Sequence, residues 1–468
     1  MRAFSRLLLV APILLATLTG SASAQVTLEY IGTGLATDVS EDGSVVTGLA
    51  GLSWEVFRWT EGTGIVPLGR IASAQAGTPD VSDDGTRISG TIASADSAWA
   101  TPGLWIEGQG WTELMPPMLS DGGELSNALG SAWGMSGDGR TVVGLYWRPG
   151  QSDGSAHGFA WHSIAGGSGL GSGGRQSRAS DVNYDGSVIV GFDENPGFGN
   201  RWPAVWVDGV KTILGESDMF VEATAVNNDG TIVGGTYNAE GSDLREAALW
   251  RWNGATWDLE LLGAMFGTNP LYGSAQVNDM TPGGEIVVGI NSYGGGSADG
   301  FIWTPEGGMQ EVGDYMLANG ISIDPNLDLL SVTAITSDGS VMIGTARETV
   351  EPWDYKSWIL RQPARATNAP TPTPIVVSRL GSNYPNPFNP RTAIPVTLDR
   401  EASLTLEIVD LAGRRVKTLH QGQLGVGRHE FIWSGADALG RQVSSGVYYS
   451  RLVGQDGRAE TKPMVLVR

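Results

Sequence analysis

A short pattern built around an Asp-Gly pair recurs along the first three quarters of this sequence. It reads VSEDGSVVTG at residues 39–48 and returns at 80–90, 134–144, 181–191, 225–235 and 334–344, with a degenerate copy at 279–289. The turn aspartates are Asp42, Asp84, Asp138, Asp185, Asp229 and Asp338, and Gly283 takes their place in the degenerate copy. Asp-Gly between apolar runs predicts a hairpin with a type I′ turn, in which both central residues have positive φ. Seven copies predict a repeat protein.

Each turn is followed by a strand that ends in tryptophan and by a closing segment that often ends in Leu-Gly. The tryptophans lie 17 to 23 residues after the turns, at Trp59, Trp105, Trp161, Trp206, Trp250, Trp303 and Trp358. Four short strands in roughly 40 to 50 residues are typical of a propeller blade. We therefore expect an all-β protein with a seven-bladed β-propeller over residues 25–361.

The two ends of the repeat region complement each other. The seventh unit stops at KSWILR without a closing strand, and VTLEYIG at residues 26–32 has no unit of its own. That segment is expected to complete the seventh blade and join the two ends, which would protect the sheet edges. An open β-solenoid is the alternative, but its repeats are usually shorter.

The amino terminus is typical of a signal peptide. Arg2 and Arg6 precede an apolar run, and GSASA at residues 20–24 fits a cleavage site, so residues 1–24 are expected to be removed. A retained anchor is the alternative. No later segment is long and apolar enough to span a bilayer, so the mature chain is expected to have no transmembrane segment. The absence of cysteine excludes disulfides and thiolate sites.

Charge is divided unequally along the chain. Residues 25–374 carry 15 basic and 42 acidic side chains, whereas residues 375–468 carry 12 basic and 8 acidic ones. An acidic bulk repels nucleic acid, so we expect no nucleic-acid partner. The acidic charge is best explained as a solvated surface.

The repeated residue types have structural and functional interpretations. Tight turns explain the Asp-Gly pairs; calcium is the rival, although no copy has the acidic density of an EF-hand loop, so no cofactor is predicted. The repeated tryptophans are expected to fill the gaps between neighbouring sheets. Other tryptophans lie off that register, and some are candidates to stack on sugars or contact a partner: Trp54, Trp99, Trp111, Trp133, Trp147, Trp202, Trp252, Trp257 and Trp353.

Catalytic patterns are scarce. The repeat region has two histidines, His157 and His162, and the sequence contains neither HExxH nor G-x-S-x-G. GGSGLGSGG at residues 166–174 is a Gly/Ser loop without the Gly-Lys-Ser/Thr of a phosphate-binding loop. Carboxylate pairs for glycoside hydrolysis stay open because acidic residues are numerous. We expect no enzyme and assign no catalytic or metal-binding residues.

The repeat unit resembles the HAF-type repeats of exported bacterial proteins. ASDVNYDGSVIVG at residues 179–191 followed by AVWVDGVKTILG at 204–215 is the most similar copy, and HGFAW at 157–161 keeps part of the Phe-x-Trp strand. The resemblance spans most of residues 34–361. It implies an extracellular, propeller-like array with no established activity.

A linker and a second domain follow the repeats. Residues 362–374, QPARATNAPTPTP, predict an extended, semi-rigid spacer. Alternating apolar strands and glycine turns in residues 375–468 predict a small antiparallel β-sandwich. Its motif residues are Tyr384, Pro385, Asn386, Pro387, Phe388, Asn389, Pro390, Gly413, Arg414, Gly446, Tyr448 and Lys462.

The second domain resembles the C-terminal sorting domain of the type IX secretion pathway and the immunoglobulin-like domain of the flagellar hook-capping protein. The matching stretches are YPNPFNP, DLAGRRV, HEFIWSG, SSGVYY and KPMVLVR, and Pro463 departs from the usual ending. The resemblance implies an immunoglobulin-like fold, the type IX machinery as partner, and a place outside a Gram-negative cell or on its outer-membrane surface. An ordinary stalk or adhesion domain is the alternative.

These observations predict a secreted or cell-surface bacterial protein. The propeller is expected to act as a binding or structural module for a surface glycan or protein ligand. A secreted polysaccharide-active hydrolase or lyase on the same scaffold is the alternative. Acidic and aromatic side chains clustered at one propeller mouth would favour that enzyme.

Overall fold

The computed structural model describes residues 26–467 with several gaps. The gaps are residues 52–53, 70–76, 95–99, 115–129, 148–155, 165, 172–175, 196, 198, 218–219, 239–243, 266–273, 295–296, 350–353, 365–378, 382, 399–401, 412, 426 and 455–458. The predicted signal peptide and most of the predicted linker therefore lie outside the described residues, as do Trp99 and Trp353.

The repeat region consists of four-stranded antiparallel units that resemble propeller blades. The strands of the first three repeats are β1 (Thr27–Val39), β2 (Val46–Ala50), β3 (Glu55–Thr60), β4 (Gly64–Pro67), β5 (Asp80–Val81), β6 (Arg87–Ala93), β7 (Ala100–Ile106), β8 (Gly110–Glu113), β9 (Gly130–Met135), β10 (Thr141–Trp147), β11 (Ala156–His162) and β12 (Gly166–Gly169). Those of the next three are β13 (Ser177–Val182), β14 (Val188–Glu194), β15 (Arg201–Val207), β16 (Val210–Ile213), β17 (Glu222–Val226), β18 (Ile232–Tyr237), β19 (Glu246–Trp252), β20 (Trp257–Gly263), β21 (Ser274–Met280), β22 (Val287–Gly294), β23 (Ser297–Thr304) and β24 (Gly308–Glu311). A short helix, α1 (Val312–Ala318), precedes β25 (Leu327–Ile335), β26 (Val341–Glu348) and β27 (Tyr355–Arg361).

Strand β1 belongs to both the first and the last repeat. Residues 27–33 pair with β27, and residues 34–39 pair with β2. The resulting sheet has the order β25-β26-β27-β1-β2-β3-β4. The segment VTLEYIG therefore lies beside the seventh tryptophan strand, in the place expected for its missing closing strand.

The repeated turns differ from the type I′ expectation. The turn glycines have φ between +66° and +76°, but none of the turn aspartates has positive φ. In the first copy the Gly43 N–H donates to the Ser40 carbonyl at 2.8 Å, so Asp42 is the third residue of the β-turn. The type I′ prediction was wrong for the repeats. That geometry occurs instead at Asp208-Gly209, where both φ values are positive.

A buried polar side chain two residues before each turn aspartate explains the wider loop. In the first copy the Ser40 hydroxyl oxygen accepts the Val45 N–H at 3.0 Å, and equivalent bonds of 2.9 to 3.1 Å recur in every copy. The side chains are Ser40, Ser82, Ser136, Asn183, Asn227, Thr281 and Thr336. A side-chain bond to the backbone competes with the tight two-residue turn and holds the loop open.

The repeated tryptophans lie in the third strand of each unit, and most of them are core residues. Trp206, Trp250 and Trp358 are fully buried, and Trp59 and Trp303 nearly so. Trp105 and Trp161 are half-buried. Each packs among apolar side chains of its own and the neighbouring unit, as expected for wedges between sheets.

The C-terminal domain is a two-sheet β-sandwich. Its strands are β28 (Arg379–Leu380), β29 (Thr392–Leu398), β30 (Ala402–Asp410), β31 (Arg415–Leu424), β32 (Gly427–Trp433), β33 (Gly446–Gly454) and β34 (Ala459–Leu466). One sheet has the order β28-β29-β32 and the other β31-β30-β33-β34. Phe388, Trp433 and Met464 are buried in the core between them.

Candidate functional site

One cavity of about 480 Å³ is lined by the first strands of all seven repeats or by the residues next to them. Each repeat contributes at least one side chain, including Thr37, Asp80, Trp133, Asp181, Thr224, Asp279 and Thr333. Concave sites where several elements converge are the usual places for ligands. We therefore take this cavity, called the axial cavity below, as the candidate functional site.

Four aspartates in the axial cavity each tie their own repeat to the following one. Each carboxylate accepts the backbone N–H of a first-strand residue in the following repeat. The bonds join Asp38 to Val81 at 2.8 Å, Asp80 to Met135 at 2.7 Å, Asp181 to Val226 at 2.8 Å, and Asp279 to Ile335 at 2.8 Å. The carboxylates thus act as links between neighbouring sheets.

The same position raises the pKa of these carboxyl groups. Burial among protein atoms disfavours their charged forms and raises the pKa of Asp181 to about 7. Burial also raises the pKa values of Asp80 and Asp279 well above their ordinary range. Asp38 and Asp80 hydrogen-bond each other through their side chains, which favours a proton shared between the two.

A further carboxyl group with a raised pKa, that of Asp83, lies near the turns. Asp83 has a pKa of about 7, because burial disfavours its charge and Glu41 and Asp38 repel it. Glu41 itself hydrogen-bonds the hydroxyl of Ser337, so the first and seventh repeats meet there. The cavity therefore holds a partly protonated set of acids near neutral pH.

Trp133 and Arg178 form the aromatic and cationic part of the cavity wall. The Arg178 guanidinium lies 3.8 Å from the centre of the Trp133 ring and donates to Glu222 at 2.8 Å. Burial lowers the pKa of Arg178, and the Glu222 carboxylate opposes that effect. Arg201 lies over Phe192 at 4.3 Å and 3.6 Å from Glu222, which extends the stack away from the cavity.

The sequence interpretation did not single out the four cavity aspartates. Each of them lies four residues before the first residue of the Asp-Gly or Gly-Gly pair in its turn. Gly134, Ala225 and Ala334 occupy the equivalent position in the other three repeats. Recurrence of Asp at one register in four of seven repeats was the available signal. Its meaning depends on the neighbouring repeat, which a single copy does not show.

The repeated turn aspartates, in contrast, are not among the residues that line the cavity, and they stabilise the turns. In each of the six copies, Oδ1 accepts the backbone N–H two residues further on, at 2.8 to 3.0 Å. Hydrogen bonds from Ser44 hold the pKa of Asp42 below its usual value. Within the described residues, no group of three or more acidic or histidine side chains is arranged to hold a metal ion.

The off-register tryptophans divide among several environments. Trp133 lines the cavity, and Trp111, Trp202 and Trp257 are half-buried. The most exposed are Trp54, Trp147 and Trp252. Of the described ones, Trp133 alone lines the cavity, and sequence reasoning did not distinguish it from the others.

The YPNPFNP motif of the second domain holds the C-terminal strand. The Asn386 side chain accepts the Val465 N–H at 2.8 Å, and the Phe388 N–H donates to the Val465 carbonyl at 2.9 Å. Phe388 is buried against Trp433, with ring centres 5.5 Å apart. The Tyr384-Pro385 and Asn386-Pro387 bonds are cis.

The remaining motif residues shape local turns and contacts. Gly413 has φ +74°, and Arg414 pairs with Asp410 at 2.7 Å beside it. Gly446 begins β33, and Tyr448 packs edge-on against Trp433 at 5.1 Å. Lys462 lies 3.9 Å from Asp208 of the repeat region. These residues build the sandwich and form no common site.

These features define a protein with a propeller-like repeat region followed by an immunoglobulin-like domain. The family model described as the FlgD Ig-like domain matches residues 389–457. A comparison with curated protein sequences gives no match.

Solved structures resemble the repeat region in fold. TolB from Acinetobacter baumannii is 13% identical, with 71% of this chain and 65% of that chain covered and a TM-score of 0.36. The β-propeller domain of the Trilobed protease from Pyrococcus furiosus is 11% identical, with 70% and 96% covered and a TM-score of 0.43. PorZ from Porphyromonas gingivalis, a surface component of its type IX secretion system, is 13% identical, with 91% and 64% covered and a TM-score of 0.29. In the described part of the chain, no helix is both long and apolar enough to cross a membrane.

Proposed function

We propose that this protein acts outside the cell or on its surface as a binding or structural module, built on a seven-bladed propeller of HAF-type repeats closed into a ring. Several contacts support closure. Within the array, a methyl group added at the turn glycine Gly230 would lie 2.5 Å from Val188 of the preceding repeat. At the first repeat, one added at Gly43 would likewise lie 2.6 Å from Val341 of the seventh repeat, so these two repeats are packed as neighbours are. Arg361 also donates to the Gly43 carbonyl at 3.0 Å.

One observation favours binding over catalysis. All four first-strand aspartates of the axial cavity accept backbone N–H groups of the next repeat, so each has a structural task. In Asp181 and Asp279 both oxygens are occupied, because the N–H of the following residue also donates to Oδ1 at 2.7 Å. A catalytic carboxylate needs an oxygen free to meet the substrate. The Trp133 and Arg178 pair offers a stacking and hydrogen-bonding wall that suits recognition.

Retention on insoluble polysaccharides and on cell-envelope preparations tests the binding role. The mature chain is expected to be retained on at least one of them, and Trp133→Ala to reduce that retention. Trp252→Ala is the matched control, because Trp252 is exposed and does not line the cavity. Loss of retention on calcium chelation would show that binding requires a metal ion. No retention on any material would leave a structural role.

The C-terminal domain is proposed to direct export through the type IX pathway of a Gram-negative bacterium. Support comes from the motif stretches and from the way YPNPFNP holds the terminal strand. Fusing residues 375–468 to a periplasmic reporter tests this: we expect the reporter outside a host with the pathway and inside a host whose pathway is deleted. Equal release from both hosts would favour an ordinary stalk or adhesion domain.

A polysaccharide-active hydrolase or lyase is the second candidate, because the carboxyl groups of Asp38 and Asp80 lie within hydrogen-bonding reach of each other in a cavity that Trp133 also lines. Paired carboxyls with separated pKa values are typical of glycoside hydrolysis. Soluble sugar released from a retained polymer by the wild type, and lost in Asp80→Asn, would support it. Release that persists in Asp80→Asn would point to a contaminating activity.

A further inference from the structure

A buried polar cluster joins the repeat region to the C-terminal domain. His162 ends β11 of the third repeat, and its Nε2 lies 3.1 Å from the Glu430 carboxylate and 3.0 Å from the Tyr384 hydroxyl. Tyr384 also donates to Glu430, and Arg428 donates to both at 3.2 Å. The side chains of Glu430 and Arg428 are only 3% and 6% exposed.

The hydrogen bonds settle how His162 takes part. The backbone N–H of Ile164 donates to Nδ1 of His162 at 3.1 Å, so Nδ1 is an acceptor and Nε2 carries the proton. His162 therefore donates across the domain boundary to Glu430. The ring of His162 also packs edge-on against that of Tyr384, with centres 4.6 Å apart.

The charges of the two regions complement each other at this boundary. Burial opposes the positive charge of Arg428, yet its pKa is raised because the phenol oxygen of Tyr384 and the carboxylates of Asp185 and Glu430 favour that charge. Asp185 is one of the repeated turn aspartates. A methyl group added at the next residue, Gly186, would lie 3.5 Å from Nη1 of Arg428, so this turn is close to Arg428. The acidic repeat region thus meets the basic C-terminal domain along its turns.

We propose that the turn-bearing face of the third and fourth repeats is a docking surface for the C-terminal domain of the same chain, and that docking withholds Tyr384 from other partners of that domain. Tyr384 opens the YPNPFNP motif, and its hydroxyl is enclosed by His162, Arg428 and Glu430. A partner that contacts this hydroxyl must first displace the repeat region.

The docked state is built to be reversible. Nε and Nη1 of Arg428 and Oε2 of Glu430 are buried without a hydrogen bond among the described residues. Buried polar atoms without partners gain hydration when they are exposed to water. The interface at this cluster is therefore polar, unlike the apolar core within each domain, and its separation costs less free energy.

Spin-label distances in the full chain test the docking. The sequence has no cysteine, so Leu317→Cys on α1 and Leu439→Cys in the C-terminal domain, both exposed, supply two unique labelling sites. A narrow distance distribution is expected with His162 present. His162→Ala removes the sole repeat-region side chain of the cluster and should shift the docking equilibrium on the order of 10- to 100-fold, which broadens the distribution. His162→Gln, which keeps a donor, should restore part of the narrow component.

His157→Ala is the matched control, since His157 lies five residues earlier in the same strand and outside the cluster. It should leave the distribution narrow. Radical footprinting of Tyr384 should rise in His162→Ala and stay low in His157→Ala. A broad distribution in the otherwise unchanged chain, or a narrow one that His162→Ala leaves unaltered, would overturn the proposal. Dimers by light scattering would instead mean docking on a second copy and would overturn docking within one chain. None of these results depends on glycan retention or export.

Discussion

Replacing Asp181 with Asn should change how the stability of the repeat region depends on pH. Asp181 accepts the N–H of Val226 through Oδ2 and that of Val182 through Oδ1, at 2.8 and 2.7 Å. Burial and the charge of Asp38 raise its pKa from 3.8 to about 7. Between these values the folded chain binds more protons than the unfolded chain, so the free energy of unfolding falls as pH rises from about 4 to 7.

The magnitude follows from the difference between the two pKa values. Each pH unit corresponds to about 1.4 kcal/mol, which gives an upper bound of ~4 kcal/mol for Asp181. The side chain is partly exposed to the cavity, so we expect about 1–3 kcal/mol. Asn cannot ionise, but its amide meets one of the two N–H donors poorly, which costs about 1 kcal/mol. Wild type has already lost about 1–2 kcal/mol of this contribution by pH 5, so Asp181→Asn should be about as stable as wild type at pH 5 and more stable at pH 8.

Denaturant unfolding of the full chain is followed by tryptophan fluorescence from pH 4.5 to 8.5. It measures how the free energy of unfolding changes with pH in wild type and in Asp181→Asn. Asp42→Asn is the control for sign, because hydrogen bonds lower the pKa of Asp42 and ionisation stabilises its turn. The stabilisation by ionised Asp42 is complete above about pH 4, so Asp42→Asn should be less stable than wild type by a constant amount across this range and keep the wild-type slope. The reasoning about Asp181 is refuted if its Asn variant keeps the wild-type slope, or if wild-type stability increases from pH 5 to 8.

Three further variants test the packing. Trp358→Ala, which empties a fully buried wedge of the seventh repeat, should cost about 3–5 kcal/mol in denaturant unfolding, and a loss below about 1 kcal/mol would contradict a core role. Gly230→Ala should lower the thermal unfolding temperature more than Gly254→Ala. Both glycines have positive φ, but only a methyl group at residue 230 would lie within 2.5 Å of Val188. Equal losses in unfolding temperature would exclude the contact. Asn386→Ala removes the acceptor of the Val465 N–H, so hydrogen exchange in β34 should quicken while exchange in β30 is unchanged, and uniform quickening would mean general unfolding instead.

Local pattern predicted much of the fold. Asp-Gly, the Trp strand and the closing segment each lie within one repeat, so their order along the chain was enough to place four strands per unit. The position of VTLEYIG beside β27 was also predictable, because the seventh unit lacked a strand and residues 26–32 supplied a spare one. The type I′ expectation failed because the buried Ser40 side chain, not the Asp-Gly pair, sets the width of the loop.

The sequence by itself determined the β architecture, the order of the strands within a repeat, and the division into an acidic repeat region and a basic C-terminal domain. The tertiary structure alone decided what the remaining polar residues do. The pKa of Asp181 is raised because its carboxyl group is buried where the first strands of several repeats meet. His162 meets Glu430 across more than 260 residues. Contacts between residues so far apart depend on the register in which whole sheets pack, and no local pattern of residues encodes that register.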